Sequence, residues 1–230
     1  MNSSRTTIAS IEASPAEIYD IELEHSLLEA NARLANENRA LLDRHKVTAI
    51  DFMGAIGSGK TTLITRLTEK LTPKIGVVVF NGDATTIPDY ERASHQGVPV
   101  VQIATVNGCH LDANLIAKAL EKIELDRTRL IFIENVGNLI CPAEFPLGSK
   151  ARVVVISVTE GPYMVKKHPH MFLGADIVVI NKTDLAAAME VSVDELTRDV
   201  HTLKPSTRVF PISCKNGAGI NEVAAALLMI

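Results

Sequence analysis

A lysine and a threonine close the glycine-rich octet Gly54-Ala55-Ile56-Gly57-Ser58-Gly59-Lys60-Thr61, which fills G-x-x-x-x-G-K-S/T at every fixed position. The apolar run 47–53 before it reads as a buried strand, and residues 62–71 after it read as a helix. Strand, loop and helix in that order make the pattern a phosphate site. Gly54, Gly57 and Gly59 let the backbone curl so that successive N–H groups, those of Ser58 and Thr62 among them, face an anion at a helix N-terminus. Lys60 is then expected to reach the β- and γ-phosphate oxygens of a nucleoside triphosphate, and the Thr61 hydroxyl to hold Mg²⁺. A glycine-rich turn that merely precedes a helix needs neither the lysine nor the threonine.

A second constellation follows the apolar run 178–180: Asn181-Lys182-Thr183-Asp184, an N-K-x-D sequence. It resembles the base-reading element of guanine-nucleotide-binding proteins. A carboxylate at Asp184 can accept from guanine N1–H and the 2-amino group, whereas adenine offers no such donor pair, so a buried Asp184 would reject it. Lys182 is expected to lay its stem along the base and Asn181 to brace the loop. Ser213-Cys214-Lys215 resembles the S-A-K element that supports the base, with Cys in place of the usual Ala. GTP and GDP are therefore the expected nucleotides. Asp83 just past one strand and Glu134 at the end of another are candidates, with Thr61, for the magnesium shell. Glu134-Asn135-Val136-Gly137 stands where many GTPases carry D-x-x-G, and Glu for Asp favours coordination through water. Each carboxylate alone also reads as a solvated loop residue or a helix cap. Lys60, Thr61, Asp83 and Glu134 form the candidate catalytic set. With no glutamine to orient water and no arginine finger to assign, slow intrinsic hydrolysis to GDP and phosphate is expected.

The third group is soft. Cys109 and His110 precede a helix, and Cys141 follows Glu134 by seven residues. Thiolate with imidazole suits Ni²⁺ or Zn²⁺, and three ligands leave a four-coordinate ion one short. A water, or a ligand from a second copy across a two-fold axis, would complete it. Two buried thiols and a helix-capping histidine fit the same spacing.

Positioning these groups falls to a strand–helix alternation. Near-continuous Val/Ile runs at 47–53, 75–80, 98–103, 129–135, 152–158, 176–181 and 208–212 read as strands covered on both faces. Helices are expected at 62–71, 88–96, 111–125, 193–203 and 220–228. The fold class is α/β: a mostly parallel sheet of about seven strands with helices on both faces and ligand loops at the C-terminal strand ends. Residues 1–13 read as polar and frayed. Ser14, Pro15 and Glu17 carry a helix-start signature, opening a helix that runs to about residue 45. Its apolar stripe of Ile18, Ile21, Leu28, Ala32, Ala35 and Leu42 is expected to pack on its own domain, pairing with a second chain being the alternative, and its opposite face is rich in Glu, Asn and Arg. The division is thus an N-terminal helical extension at 1–45 and a P-loop domain at 46–230. A net charge of -4 gives no general attraction to nucleic acid or anionic membrane. No apolar run approaches the length of about 20 residues that spans a bilayer, and the N-terminus lacks a secretory layout. Three widely spaced cysteines make no disulfide framework. A cytoplasmic protein is expected.

The phosphate loop, N-G-D-A-T-T-x-x-D from residue 81, N-G-C-H-L-D-A from 107, E-N-V-G-N-L-I-C-P-A from 134 and N-K-T-D from 181 occur in one order. Together they closely resemble the hydrogenase nickel-incorporation GTPases of the HypB type, over residues 47–230. The resemblance implies a SIMIBI-like P-loop GTPase acting as a metallochaperone. It further implies a GTP-dependent homodimer with Cys109, His110 and Cys141 binding metal near the interface, and as partners the hydrogenase large-subunit precursor and nickel-delivery accessory proteins. Three departures matter. The N-terminus has neither a Cys motif nor a His-rich run, so nickel storage is not implied. Asn114 and Lys118 stand where some members add histidines, and Asn81 stands where many carry Glu. His168-Pro169-His170 resembles the Cys-Pro-His metal motif of the related urease GTPases, but K-H-P-H-M-F also matches the family's K-Y-P-x-M-F, which favours a structural loop with exposed imidazoles. The alternatives are a nickel GTPase for another client such as urease, and a signalling-type GTPase whose cysteines are structural.

Overall fold

Val/Ile runs without polar alternation become strands buried on both faces; the edge strand at 208–211 stays exposed or half-buried, and elsewhere the computed structural model follows that rule. It describes residues 9–12, 24–83, 90, 97–105, 108 and 110–230, with side chains from residue 27 onward. The Ser14 helix start, Cys109, and the helix expected at 88–96 apart from Tyr90 lie outside the described residues. The strands are β1 (Ala9–Glu12), β2 (Thr48–Met53), β3 (Val77–Asn81), β4 (Val100–Ala104), β5 (Leu130–Glu134), β6 (Ala151–Ser157), β7 (Ile177–Asn181) and β8 (Arg208–Pro211). The helices are α1 (Glu24–Arg44), α2 (Lys60–Leu71), α3 (Ala113–Leu120), α4 (Met164–Lys167), α5 (Pro169–Leu173), α6 (Val193–Leu203) and α7 (Ile220–Leu228).

All pairings in the sheet are parallel, in the order β1-β4-β3-β5-β2-β6-β7-β8. The seven strands read from the sequence all form. The eighth, β1, corrects the reading of 1–13 as frayed: Ala9 lies opposite Val101 and Ile11 opposite Ile103 on the sheet edge. Four residues with a single Ile carry no apolar run, so this strand depends on a partner far along the chain. Strand order reverses at β2, which has β5 on one side and β6 on the other. In such sheets ligands bind at the carboxyl ends beside the reversal. The register lines those ends up: Glu134 sits opposite both Phe52 and Asn81, and Ser157 opposite Asn181.

Period-2 alternation sends β2 side chains to both faces of the sheet, into three clusters. Ile50 and Phe52 join Leu63, Ile64 and Leu67 of α2 with Val223 and Leu227 of α7. Ala49 joins Leu42 of α1 with Leu115 and Ile116 of α3, and Met53 joins Phe172 and Leu196. Each such side chain contributes about 1.5–3 kcal/mol on burial, so the strand ends are held from both faces. Two expectations change. The helix expected at 111–125 is only α3, because the chain tightens at Lys122 into a turn that leads to Leu125–Arg127 and then β5. On α1 the buried stripe is Asn31, Ala35, Asn38 and Leu42, so two asparagines face inward. Asn31 takes Ala113 N–H on its oxygen at 2.8 Å and donates to Pro146 O at 2.9 Å. Asn38 donates to Ala113 O at 2.8 Å. Buried backbone groups need partners, and an asparagine supplies both a donor and an acceptor. An apolar stripe cannot reveal that. Among the described residues no helix is long and apolar enough to cross a membrane.

Candidate functional site

β2 runs directly into the octet, and α2 starts on its lysine. Gly54, Gly57 and Gly59 have φ of 148°, 80° and 99°. A Cβ on Gly54 would lie 2.1 Å from Val155 O, and one on Gly59 2.2 Å from Asn181 Nδ2. Side chains there would force the loop off β6 and β7. Lys60 Nζ donates to Gly54 O at 3.0 Å and Ala55 O at 3.2 Å, curling back under its own loop. Burial lowers the lysine pKa, opposed by the charges of Glu134, Asp83 and Glu160. Ser58 Oγ is buried with no hydrogen-bond partner, an arrangement that costs about 1–3 kcal/mol. A phosphate oxygen in the cradle would relieve it. Gly57 and Thr62 are exposed at the mouth. Glycine cradle, buried lysine and unpaired serine together fit a phosphate chain.

Thr61 Oγ1 donates to Glu134 Oε1 at 2.7 Å, and the buried Tyr90 hydroxyl donates to Glu134 Oε2. Burial pushes the Glu134 pKa up; the bonds from Tyr90 and Thr61 and the charge of Lys60 pull it down, while Asp83 adds like charge. Asp83 thus acts on both Lys60 and Glu134. Asn81, where the family often has Glu, holds that turn: its oxygen takes Asp83 N–H at 3.0 Å, and its nitrogen donates to Asp83 O at 3.0 Å and Gln102 Oε1 at 2.8 Å. One hydroxyl and two carboxylates form an all-oxygen donor set, the kind a hard ion such as Mg²⁺ takes.

The base loop is braced from Asn181, at the end of β7. Its Nδ2 donates to Ser58 O at 2.9 Å, and its oxygen accepts from Lys182 N at 2.7 Å and Cys214 N at 3.1 Å. Lys182, at φ 60°, reaches across to Gly57 O at 2.7 Å. Ser213 Oγ donates to Asp184 Oδ1 at 2.6 Å. Asp184 is exposed, which corrects the expectation of a buried carboxylate. Lys215 is exposed and Cys214 buried, its thiol pushed up to about 11 by burial.

The soft ligands are less assembled. Among the described residues no group of three or more His, Cys, Asp or Glu is placed to hold a metal ion. His110 stacks on Phe145 with ring centroids 3.8 Å apart, and burial lowers its pKa, favouring the neutral imidazole that a metal requires. Phe145 follows the turn Cys141–Ala143, whose Cys141 is a half-buried free thiol. His110 and the Cys141 loop are therefore neighbours. His170 lies on the short helix α5, because Pro169 is favoured at a first helical position, while His168 is the single non-helical residue between α4 and α5. His168 is half-buried and His170 exposed. They line a 390 Å³ cleft with Leu139, Ile140 and Glu144, beside Cys141 in sequence. A groove of 610 Å³ at the amino ends of β3 and β5, near Thr72, Gly76 and Arg127, holds none of these groups.

Three residues escape the sequence reading. Tyr90 sits in a stretch that reads only as helix. Asn135 hides behind Glu134. Glu160 had a signal, the S-x-x-E of Ser157 to Glu160, which is a capping box. Burial pushes Glu160 up to about 7, against its bond from Ser157 N–H and the charges of Lys182 and Lys60.

Comparison with known proteins agrees with this geometry. The profile described as "CobW/HypB/UreG, nucleotide-binding domain" matches residues 48–211. A probable hydrogenase maturation factor HypB of Methanocaldococcus jannaschii is 46% identical over 203 residues, 88% of this chain and 92% of that protein. The crystal structure of hydrogenase maturation factor HypB from Archaeoglobus fulgidus superposes with TM-score 0.83 at 41% identity, covering 87% of this chain and 98% of that one. HypB from Helicobacter pylori in complex with nickel gives TM-score 0.81 at 33% identity, covering 87% and 94%.

Proposed function

The chain belongs to the HypB branch of the CobW/HypB/UreG nucleotide-binding family, and from that premise we propose that it is a GTP-hydrolysing metallochaperone for nickel insertion into a nickel–iron hydrogenase precursor. Nucleotide state gates both a Cys109/His110/Cys141 metal site and homodimerisation. The observation that carries this reading is the Thr61–Glu134 hydrogen bond at 2.7 Å. The hydroxyl that would face magnesium already touches the first residue of the segment that ends in Cys141.

The residues take these roles. On nucleotide binding Lys60 exchanges its carbonyl partners, Gly54 O and Ala55 O, for β- and γ-phosphate oxygens, and Ser58 gains an acceptor. Asn181 holds the phosphate and base loops at fixed separation while Asp184 accepts from guanine. Thr61, Asp83 and Glu134 would hold magnesium directly or through its waters; that ion supplies neutralisation of charge on the transferring phosphoryl group. Water attacks the γ-phosphorus, the bond to the β,γ-bridging oxygen breaks, and GDP and phosphate leave. Thr61 and Glu134 would share the ion's shell, so a shift of the phosphate loop would carry the 134–141 segment with it and move Cys141 relative to His110. A metal site with three ligands per chain takes its fourth from water or from a second copy. Nickel in the Helicobacter pylori neighbour supports the choice of ion, and accessory proteins would supply it.

The test is nickel and zinc stoichiometry per chain, with GDP and with a non-hydrolysable GTP analogue, alongside native mass. Metal that tightens with the analogue and with dimer formation is the expected result. No metal in either state refutes the metallochaperone reading. Metal that survives Cys109→Ala and Cys141→Ala refutes the assigned ligands and moves the site to the His168/His170 cleft.

A further inference from the structure

The end of β5 carries two adjacent side chains that do different things. Successive residues of a strand point to opposite faces. Glu134 shares the face of Phe132 and α2, where it meets Thr61. Asn135 falls on the face of Ile131 and Ile133, where Leu111 packs. The Asn135 side chain is fully buried, and its one amide joins three segments. Its Nδ2 donates to Asp51 Oδ1 on β2 at 3.1 Å. Its oxygen accepts from Leu111 N at 3.1 Å and from Val136 N at 3.0 Å. Its backbone N–H donates to Phe52 O at 3.0 Å, so the residue is also pinned to the strand that feeds the phosphate loop.

From this junction we infer that Asn135 is the positioning residue that transmits the nucleotide state sensed at Glu134 to His110. The inference rests on the gating proposed above and supplies its path. Leu111 immediately follows His110, and its N–H has Asn135 as acceptor. Both lone pairs of that oxygen are taken, so a shift of residues 134–136 leaves no spare acceptor. The Leu111 N–H must follow the segment or lose its partner in a buried setting, at a cost comparable to a hydrogen bond. Asp51 fixes the orientation of the amide, holding the oxygen toward Leu111.

The readout is the ratio of nickel dissociation constants with GDP and with a non-hydrolysable GTP analogue. By linkage it equals the factor by which nickel changes the analogue-to-GDP preference. A typical coupling is about 5- to 150-fold. We expect Asn135→Ala to bring the ratio to about one while metal stoichiometry and GDP affinity stay within about threefold. A purely structural asparagine would lower the melting temperature and leave the ratio alone. Asn135→Asp keeps an acceptor for both N–H groups but sets carboxylate against carboxylate; adding Asp51→Asn restores the donor–acceptor pattern and should restore the ratio. Should Asn135→Ala fail to fold, this nearly isosteric pair decides alone. A wild-type ratio retained in Asn135→Ala or in Asn135→Asp overturns the role of Asn135 and leaves gating intact. A wild-type ratio of one overturns gating, and this path with it.

Discussion

Asn181→Ala should strike nucleotide binding without removing any group that needs to touch the nucleotide. It deletes three hydrogen bonds: to Ser58 O at 2.9 Å, from Lys182 N at 2.7 Å and from Cys214 N at 3.1 Å. Each is worth about 1 kcal/mol net. Lys182 N is half-buried and can turn to water, but Ser58 and Cys214 are buried, and a buried orphan costs about 1–3 kcal/mol. The two buried orphans sum to about 2–6 kcal/mol. That cost divides between fold stability and binding, because the same bonds hold the phosphate loop and the base loop at working distance. If half falls on binding, GDP weakens about 5- to 150-fold. Titration with a fluorescent GDP, beside a denaturant melt, reads both shares. Asn181→Asp keeps the acceptors and loses only the donor to Ser58 O, so it should damage the phosphate loop more than the base loop. A GDP affinity within about threefold of wild type, with unchanged stability, would refute the claim that this side chain ties the two loops.

Gly59→Ala should cost at least about 2 kcal/mol of stability, combining a left-handed φ penalty of about 1–2 kcal/mol with displacement of Asn181, 2.2 Å from the new methyl. Gly57→Ala, with nothing within 4 Å, should cost only the φ term; equal losses in urea melts would contradict this. Asp51 is raised from 3.8 to about 6, chiefly by burial and against the charge of Arg152. The native state then binds more protons than the unfolded one between those values, so Asp51 lowers stability as pH rises from about 4 to 6, by about 3 kcal/mol in all. Asp51→Asn should gain on wild type across that window and run parallel above it; a constant difference in melts at several pH values would exclude the shift. Glu134→Gln should raise the magnesium concentration for half-maximal GTP hydrolysis about tenfold or more, equivalent to about 1.4 kcal/mol, without lowering the melting temperature. An unchanged magnesium dependence would remove Glu134 from the ion's shell.

What the sequence made legible was whatever is local. Seven strands announced themselves through continuous Val/Ile runs, and α6 and α7 were read to the residue because each has an apolar stripe bounded by a polar or glycine start. The phosphate and base loops were legible because their chemistry needs fixed residue types at fixed spacing. Non-local roles were not. β1 has no pattern of its own and exists by pairing with β4. Asn31 and Asn38 look like the wet side of α1, yet they serve backbone groups of α3 and of the loop at 146–147. Tyr90 shows its role only when the sheet brings it to Glu134. Glu160 was legible in principle, since a capping box is a spacing signal, but its approach to Lys60 and Lys182 follows from the β6–β7 pairing.

A gate between nucleotide and metal needs a segment that cannot move piecemeal, and 134–138 is tied to the phosphate loop at three points. Thr61 holds Glu134. Gly137 lies so close under Ile56 that a Cβ there would come within 2.5 Å of its side chain. Asn138 forms an antiparallel bridge with Gly54. A hydrogen bond such as Thr61–Glu134 is worth about 1 kcal/mol, the same order as allosteric couplings of about 1–3 kcal/mol. The three ties also set a direction for such a gate. The phosphate loop closes onto an anion from Gly54 to Thr61, and every tie runs from that stretch to residues before Cys141. In the gating proposed above, closing the loop would pull the segment from its phosphate side and deliver the displacement forward, to the turn Cys141–Ala143 and the Phe145 ring that stacks on His110.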